Sequence, residues 1–167
     1  MICVVIDDLA SAHADAIVRP ADSLLEPLTD AAAALDRAAG PGFTSSLHTA
    51  EELAVGSAVV TDAGALNADL VIHAVLSSST EAIAEKGIRR AMESILHRAQ
   101  AWQIDSVAVP PLGHQSSDLE LEEIAKTMIA VVAERQDTAE YPAELRFVVG
   151  EETEKKLFER LTLGVSS

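Results

Sequence analysis

The chain has one cysteine and no long apolar run. Cys3 is alone among the 167 residues, so no disulfide can form within the chain, and a reducing compartment such as the cytoplasm is expected. Charge, glycine or proline interrupts every apolar stretch well before the roughly 20 residues that a membrane span requires. No basic leader precedes an apolar run, so we expect a soluble, unprocessed protein with no membrane partner.

Basic residues are scarce. The sequence holds 12 Lys and Arg against 27 Asp and Glu, which gives a formal net charge of −15 at pH 7. A surface this acidic repels the phosphate backbone that supplies most nucleic-acid affinity, so we expect no nucleic-acid partner. The same field disfavours any anionic ligand. A nucleotide would therefore need local backbone N–H groups and helix N-termini to hold its phosphates.

Length and hydropathy indicate one domain. With 49% hydrophobic residues, a chain of 167 residues can bury one substantial core and is too short for two ordinary domains. We expect residues 1–164 to form that domain and residues 165–167 to fray. Short apolar runs typical of strands alternate with amphipathic helices. This alternation predicts an α/β fold, a three-layer α/β/α sandwich around a mostly parallel, mixed sheet.

The individual elements are predicted from local patterns. Thr29 is placed to cap a helix over 30–39 that ends at Gly40. Apolar positions at steps of three and four mark a long helix from Ile88 to Trp102, and we expect Trp102 to pack in the core. Two further helices are predicted around 121–132 and 157–161. Strands are predicted at 2–6, 16–18, 57–61, 70–76, 107–109 and 145–149.

Two of these strands end in polar loops. The apolar strand that follows Asp15 stops at Pro20 and leads to Asp22, and the strand 107–109 leads through two prolines to His114. Side chains that leave the carboxyl ends of parallel strands point into the crevice above the sheet, where α/β proteins bind ligands. These two strand exits therefore predict a ligand site.

Six short sequence segments occur in a definite order along nearly the whole chain. They are Asp8-Leu9, Asp15-Ala16-Ile17-Val18, Gly40-Pro41, a run with Gly56, Ala58, Thr61, Gly64 and Leu66, then Val71-Ile72-His73-Ala74-Val75, and Val109-Pro110 with Leu112-Gly113. Their order and spacing resembles the macro domain, a family that binds ADP-ribose and its relatives. The resemblance implies a macro-domain-like fold. It also implies that His73 is a core histidine with a hydrogen-bond partner.

The resemblance implies ligand contacts after the first two strands. Asp8 matches an aspartate that accepts a hydrogen bond from the adenine amino group, and the backbone of Leu9 would lie beside the base. Arg19 and Asp22 match two asparagines, the later of which touches the distal ribose. An ionised Asp22 can accept from a ribose hydroxyl or act as a base. The alternatives are a solvated acid at Asp8 and a turn that begins at Asp22 with Ser23.

The first ligand loop departs from the family pattern. The family's glycine-rich segment, whose backbone wraps the diphosphate, is matched here by Pro27, Leu28, Thr29 and Asp30. Pro27 has no N–H, the side chains of Leu28 and Thr29 obstruct close approach, and Asp30 adds negative charge beside a helix N-terminus. Asp30 is otherwise an ordinary residue of the first helical turn. The resemblance thus implies a degenerate ADP-ribose pocket.

The second ligand loop keeps polar groups. The family pattern of Gly-Thr-Gly and two small residues is matched by Gly113, His114, Gln115, Ser116 and Ser117, which can contact a phosphate or sugar. His114 is also a candidate acid or base, or a solvated loop histidine. The aromatic ring that many family members stack on adenine is missing after the last strand. The candidate ligand contacts are Asp8, Leu9, Asp22, Thr29, Gly113, His114, Gln115, Ser116 and Ser117.

The expected function is a macro-domain-like binding module with weak or altered ligand binding and no catalysis. A poorly held diphosphate would lose the orientation that hydrolysis requires. We expect ADP-ribose or a nucleoside-type small molecule as ligand, with no metal ion and no cofactor. One alternative is a hydrolase of ADP-ribosyl groups or O-acetyl-ADP-ribose that uses Asp22 as general base with His114 assisting. Another is a module that only mediates oligomerisation.

Overall fold

The fold is organised around a mixed β-sheet. Within residues 1–47 and 49–165, which the computed structural model describes, six strands form this sheet in the order β1-β6-β5-β2-β4-β3. The strands are β1 (Ile2–Ile6), β2 (Ala16–Asp22), β3 (Ala58–Asp62), β4 (Leu70–Ser77), β5 (Ser106–Val109) and β6 (Glu144–Val149). Neighbouring strands are parallel except β3 and β4, which are antiparallel. The predicted mostly parallel sheet is confirmed.

Helices cover both faces of the sheet. One face carries α1 (Asp30–Ala39), α2 (Pro41–Ser45) and a short 3-10 helix (Leu9–Ser11), whose apolar side chains pack together with Ile17 and Val71. The other face carries α3 (Glu85–Ala101), α4 (Leu121–Arg135) and α5 (Glu152–Val165), which pack around Val18 and Phe147. The predicted three-layer α/β/α sandwich is therefore confirmed.

Local chemistry sets both ends of α1. Thr29 is extended, and its Oγ1 accepts a hydrogen bond from the N–H of Ala32 at 3.0 Å. At the other end Gly40 has a φ of +96°, a conformation that residues with a side chain rarely adopt, and Pro41 then begins α2. These caps confirm the helix predicted over 30–39.

Trp102 does not pack in the core, contrary to the prediction from its apolar stripe. Helix α3 ends at Ala101, and the side chain of Trp102 is 53% exposed at its C-cap. The rest of the stripe is buried against the sheet, including Ile88, Met92 and Ile95. The apolar pattern of the sequence therefore extends to Trp102, about one turn beyond Ala99, the last buried residue of α3.

Helix α5 extends the fold to Val165, the last residue that the structure describes. Its Phe158 packs on Phe147 of β6, with ring centroids 5.0 Å apart. Residues 165–167 are predicted to fray. Of these, Val165 is the last residue of α5, and residues 166 and 167 lie outside the described residues. Among the described residues, no helix has both the length and the apolar character needed to cross a bilayer.

A buried polar network links β2, α1, β4 and β3. Arg19 is 1% exposed, and its Nε and Nη2 donate to the two carboxylate oxygens of Asp36 at 2.7 and 2.8 Å. Arg19 Nη1 lies 3.3 Å from Nδ1 of His73, whose Nε2 lies 2.7 Å from Oγ1 of Thr61. Arginine only donates, so Nδ1 of His73 must accept, and the imidazole is neutral. The expectation that His73 is buried with a partner is confirmed.

The Arg19–Asp36 pair is buried, with the two side chains 1% and 10% exposed. We therefore expect Asp36→Ala to lower the free energy of unfolding by about 3–5 kcal/mol, because it leaves a buried guanidinium without its counter-charge. Urea unfolding measures this change. Arg37→Ala, at the exposed neighbouring position, is the control and should cost no more than about 0.5 kcal/mol. Equal effects of the two substitutions would contradict this account of the pair.

The neutral imidazole of His73 makes stability depend on pH. Burial, followed by the nearby charge of Arg19, lowers the pKa of His73 from 6.5 to about 3. In the unfolded chain the imidazole takes up a proton near its ordinary pKa, whereas in the folded protein it does not until far lower pH. Between these two values the unfolded state binds more protons, so the folded state loses stability as pH falls.

From pH 7 to pH 5, this residue should reduce the free energy of unfolding by about 2 kcal/mol. Urea unfolding of the wild type and of His73→Gln at pH 7 and pH 5 measures this effect. For each protein, the quantity to compare is the change in the free energy of unfolding between the two pH values. His73→Gln should lack this part of the pH dependence, while His97→Gln, at an exposed position of α3, should retain it. A wild-type pH dependence in His73→Gln would show that another group is responsible.

Candidate functional site

A cleft of about 410 Å³ opens above the carboxyl ends of β1, β6, β5 and β2. Its walls come from the segment after β1, the start of α1, the loop after β5 and the start of α5. Pro20 and His114 both line it, so the two strand exits identified in the sequence face one crevice. The other lining residues are Asp7, Asp8, Leu9, Ala10, Ser11, Thr29, Ala31, Ala34, Pro110, Pro111, Gln115, Val148, Val149, Gly150 and Glu154.

The cleft forms where β2 and β5 separate. These two strands pair only through Ala16 and Ile17 of β2, and β2 then continues alongside β4 alone. The expectation that β2 stops at Pro20 is wrong, because Pro20 pairs with Ala74 and the strand runs on to Asp22. Pro20 lies beyond the part of β2 that pairs with β5, so its missing N–H removes no bond to that strand.

Asp8 stands free at one wall of the cleft. It is exposed and extended, and its carboxylate caps none of the amides of the 3-10 helix that follows. Its own N–H donates to Oδ1 of Asp7 at 2.8 Å, which orients the backbone at the cleft edge. Leu9 turns into the core and is 4% exposed. The carboxylate of Asp8 is therefore positioned to accept a hydrogen bond from a bound molecule.

The loop after β2 is a closed turn built around Asp22. Its Oδ1 accepts hydrogen bonds from the N–H groups of Leu24 and Glu26, both at 2.9 Å. The backbone adds two bonds, from Asp22 N–H to Glu26 O at 3.0 Å and from Leu25 N–H to Asp22 O at 2.9 Å. Leu25 has a φ of +66°, which reverses the chain. Asp22 thus begins a turn and lies outside the residues that line the cleft.

The backbone just after this turn is also engaged. Pro27 has no N–H, and it forms an isolated antiparallel bridge with Ala21. Leu28 donates its N–H to Pro20 O at 3.3 Å, while its own carbonyl accepts a hydrogen bond from the hydroxyl of Ser116. From residue 22 to residue 28, every backbone N–H is therefore either bonded within the protein or absent.

The loop after β5 uses its serines internally. Ser117 Oγ donates to the carbonyl of Gly113 at 2.9 Å, and the hydroxyl of Ser116 reaches across to the first loop. Gly113 has a φ of +82°, which glycine adopts without strain. The structure therefore places some candidate contacts in the cleft and others behind it. Asp8, Leu9, Thr29, His114 and Gln115 line the cleft, whereas Asp22, Gly113, Ser116 and Ser117 do not.

Glu154 lines the cleft, although no sequence pattern identifies it as a candidate contact. Its Oε2 lies 3.2 Å from Nε2 of His114, and its Oε1 accepts the N–H of Gly150 at 2.9 Å. His114 thus faces a carboxylate across the cleft rather than only solvent. Glu154 reads in the sequence as one more acidic residue in the first turn of a helix. Only the fold brings it to the second ligand loop.

The cleft is acidic and has no aromatic platform. Asp7, Asp8 and Glu154 contribute carboxylates to its lining, and His114 is the one basic side chain among the lining residues that the structure describes. No Phe, Tyr or Trp is among them. Within the described residues, no group of three His, Cys, Asp or Glu side chains is arranged to hold a metal ion. The cleft therefore offers hydrogen-bond acceptors and apolar walls.

Comparison with known proteins agrees with this geometry. The macro domain model matches residues 18–128. An uncharacterized protein of Aeropyrum pernix is 33% identical over 133 residues, which cover 75% of this chain and 67% of that protein. The Oceanobacillus iheyensis macrodomain with MES bound superposes with a TM-score of 0.87 at 17% identity, over 98% of this chain and 90% of that one. The Trypanosoma brucei macrodomain in complex with ADP-ribose has a TM-score of 0.85 at 19% identity, over 95% and 68%.

The fold is an α/β/α domain with a cleft at the carboxyl ends of its parallel strands. Because the family model matches about two thirds of the chain, the chain belongs to the macro domain family. The resemblance read from the six short sequence segments is thereby confirmed.

The role of Asp22 in closing the first loop can be measured directly. Asp22→Ala removes the acceptor of two amides and should lower the free energy of unfolding by about 1–3 kcal/mol. Amide hydrogen exchange should become faster at Leu24 and Glu26. Asp22→Asn keeps an Oδ1 acceptor and should show a smaller effect in both measurements. Unchanged exchange at these two amides in Asp22→Ala would contradict the closed turn.

Proposed function

We propose that this macro domain is a binding module for an uncharged, adenosine-like nucleoside and that it does not hold a diphosphate. One observation carries the proposal: backbone N–H groups from residue 22 to residue 28 are bonded within the protein or missing. A diphosphate in such a cleft needs several free N–H donors at close range. The loop from residue 22 to residue 28 can supply such donors only by breaking its own hydrogen bonds.

Electrostatics support the same ligand class. The carboxylates of Asp7, Asp8 and Glu154 line the cleft, and the chain as a whole carries a formal charge of −15. A phosphoryl charge 4 Å from one carboxylate would be repelled by about 1–4 kcal/mol, depending on the effective dielectric. An uncharged nucleoside avoids this cost and still uses a carboxylate as acceptor.

The Trypanosoma brucei macrodomain supports the adenosine part of the proposal, since it is described in complex with ADP-ribose. In this chain the adenine end of such a ligand would lie at the wall formed by Asp8 and Leu9. Asp8 would accept from the exocyclic amino group. The distal end would approach His114 and Gln115, which line the cleft from the loop after β5.

We further propose that the module is not a hydrolase. Removal of ADP-ribose or of an acetyl group from its ribose needs the phosphates held still while water attacks, and that orientation contributes several kcal/mol to such catalysis. Asp22, the candidate base, accepts hydrogen bonds from two backbone amides through Oδ1, and it lies outside the cleft lining. If the alternative held and Asp22 were the base of a hydrolase, the wild type would turn over substrate and Asp22→Asn would abolish that activity. We expect no turnover by the wild type.

We also propose that residues 1–164 act as one domain. The first strand pairs with the last, β1 with β6, so that neither end of the chain can leave the sheet without exposing the core.

The ligand class is tested by calorimetric titration with adenosine, AMP and ADP-ribose. We expect adenosine to bind at least as tightly as ADP-ribose, because the added phosphates gain no amide donors. Asp8→Ala should weaken adenosine binding by about tenfold or more, the effect of losing a hydrogen bond to a charged acceptor. Asp137→Ala removes the same charge at an exposed position outside the cleft lining and serves as control. Micromolar affinity for ADP-ribose together with no adenosine binding would reject the proposal.

A further inference from the structure

Three arginines gather in a groove that lies outside the cleft. The groove has a volume of about 570 Å³ and runs over the exposed side of α3. Arg90 and Arg98 come from α3, where a spacing of eight residues places them on one helix face, and Arg135 comes from the last turn of α4. The segment 56–58 before and at the start of β3 forms the opposite wall. We call these three side chains and that segment the arginine groove.

Within the described residues, none of the three arginines forms an ion pair, although the chain has an excess of acid. Acidic residues outnumber basic ones by 27 to 12, so an arginine on this surface readily meets a carboxylate. Among the described residues, no carboxylate forms an ion pair with Arg90, Arg98 or Arg135. Glu93 lines the same groove but pairs with Arg89 at 3.5 Å. Of the other five arginines, Arg37 likewise has no ion pair among the described residues, whereas four form ion pairs, namely Arg19, Arg89, Arg146 and Arg160.

Packing holds the stems of these arginines and leaves positive charge in the groove. Arg98 Nε donates to the carbonyl of Ala58 at 3.0 Å. Arg90 lies against Gly56, where a Cβ would come within 2.5 Å of Arg90 Cβ, so only glycine allows this approach. Within the described part of the chain, Nε of Arg135 is buried and has no hydrogen-bond partner. A buried donor without an acceptor is costly, and no carboxylate of the described residues pairs with this guanidinium.

We propose that the arginine groove is a binding site for a phosphate group, separate from the cleft and independent of the nucleoside function. Guanidinium groups present paired N–H donors that match the oxygens of phosphates. Three of them around one space offer more donors than the two oxygens of a carboxylate can accept, which favours phosphate. Mutual repulsion among the three cations is relieved when an anion lies between them. The phosphate is either free or carried on a phosphorylated side chain.

The test is a calorimetric titration of the full chain with inorganic pyrophosphate and with O-phosphoserine. We expect binding, and the double variant R90Q/R135Q should bind about tenfold or more weakly than the wild type. Arg160→Gln is the matched control, because it removes the same charge from an exposed arginine of α5 and should change affinity by about twofold or less. Tighter binding of O-phosphoserine would assign the source to a phosphorylated side chain, and tighter binding of pyrophosphate to a free phosphate.

Several results would overturn the proposal. They are the absence of binding to either compound, an equal loss of affinity in Arg160→Gln, and competition between pyrophosphate and adenosine, which would place the anion in the cleft. If R90Q/R135Q fails to fold by urea unfolding, Arg90→Gln alone carries the test, since Arg90 is exposed. Failure here leaves the nucleoside proposal intact, because adenosine binding is measured separately and depends on Asp8.

Discussion

The hydrogen bonds that the Asp22 carboxylate accepts from Leu24 and Glu26 close the loop that joins β2 to α1. They turn the chain back on itself directly after β2, so that the loop closes before α1 begins. With Pro27 next in the chain and Leu28 tied to Pro20 and Ser116, the loop presents side chains rather than free amides. The proposal of a nucleoside module without a diphosphate site rests on this one turn.

The buried network beneath the loop holds both of its ends. Arg19 lies three residues before Asp22 on β2, and its partner Asp36 lies on the helix that follows the loop. The ion pair thus joins the strand that enters the loop to the helix that leaves it, while His73 and Thr61 extend the network to β4 and β3. Because Arg19, Asp36 and His73 are buried, their directional bonds restrict how far α1 can move, and with it the loop.

Much of the fold is readable from the sequence, but less of the site. Thr29 and Gly40 bound α1 through local chemistry, which is why that helix is predicted to the residue. Trp102 was misplaced because periodicity does not show where a helix leaves the core. The pairing of Glu154 with His114 joins residues 40 positions apart, and no local pattern reports such a distance.

The loop between β2 and α1 could be predicted only in part. Its lack of glycine is visible in the sequence, but the use of Asp22 as the centre of a turn depends on the φ of +66° at Leu25, an uncommon conformation for leucine. Propensity alone does not reveal this choice. The most direct test is a crystal structure of the chain soaked with ADP-ribose. The account predicts adenosine against Asp8 with the turn intact, whereas phosphoryl groups held by amides of residues 24–30 would contradict it.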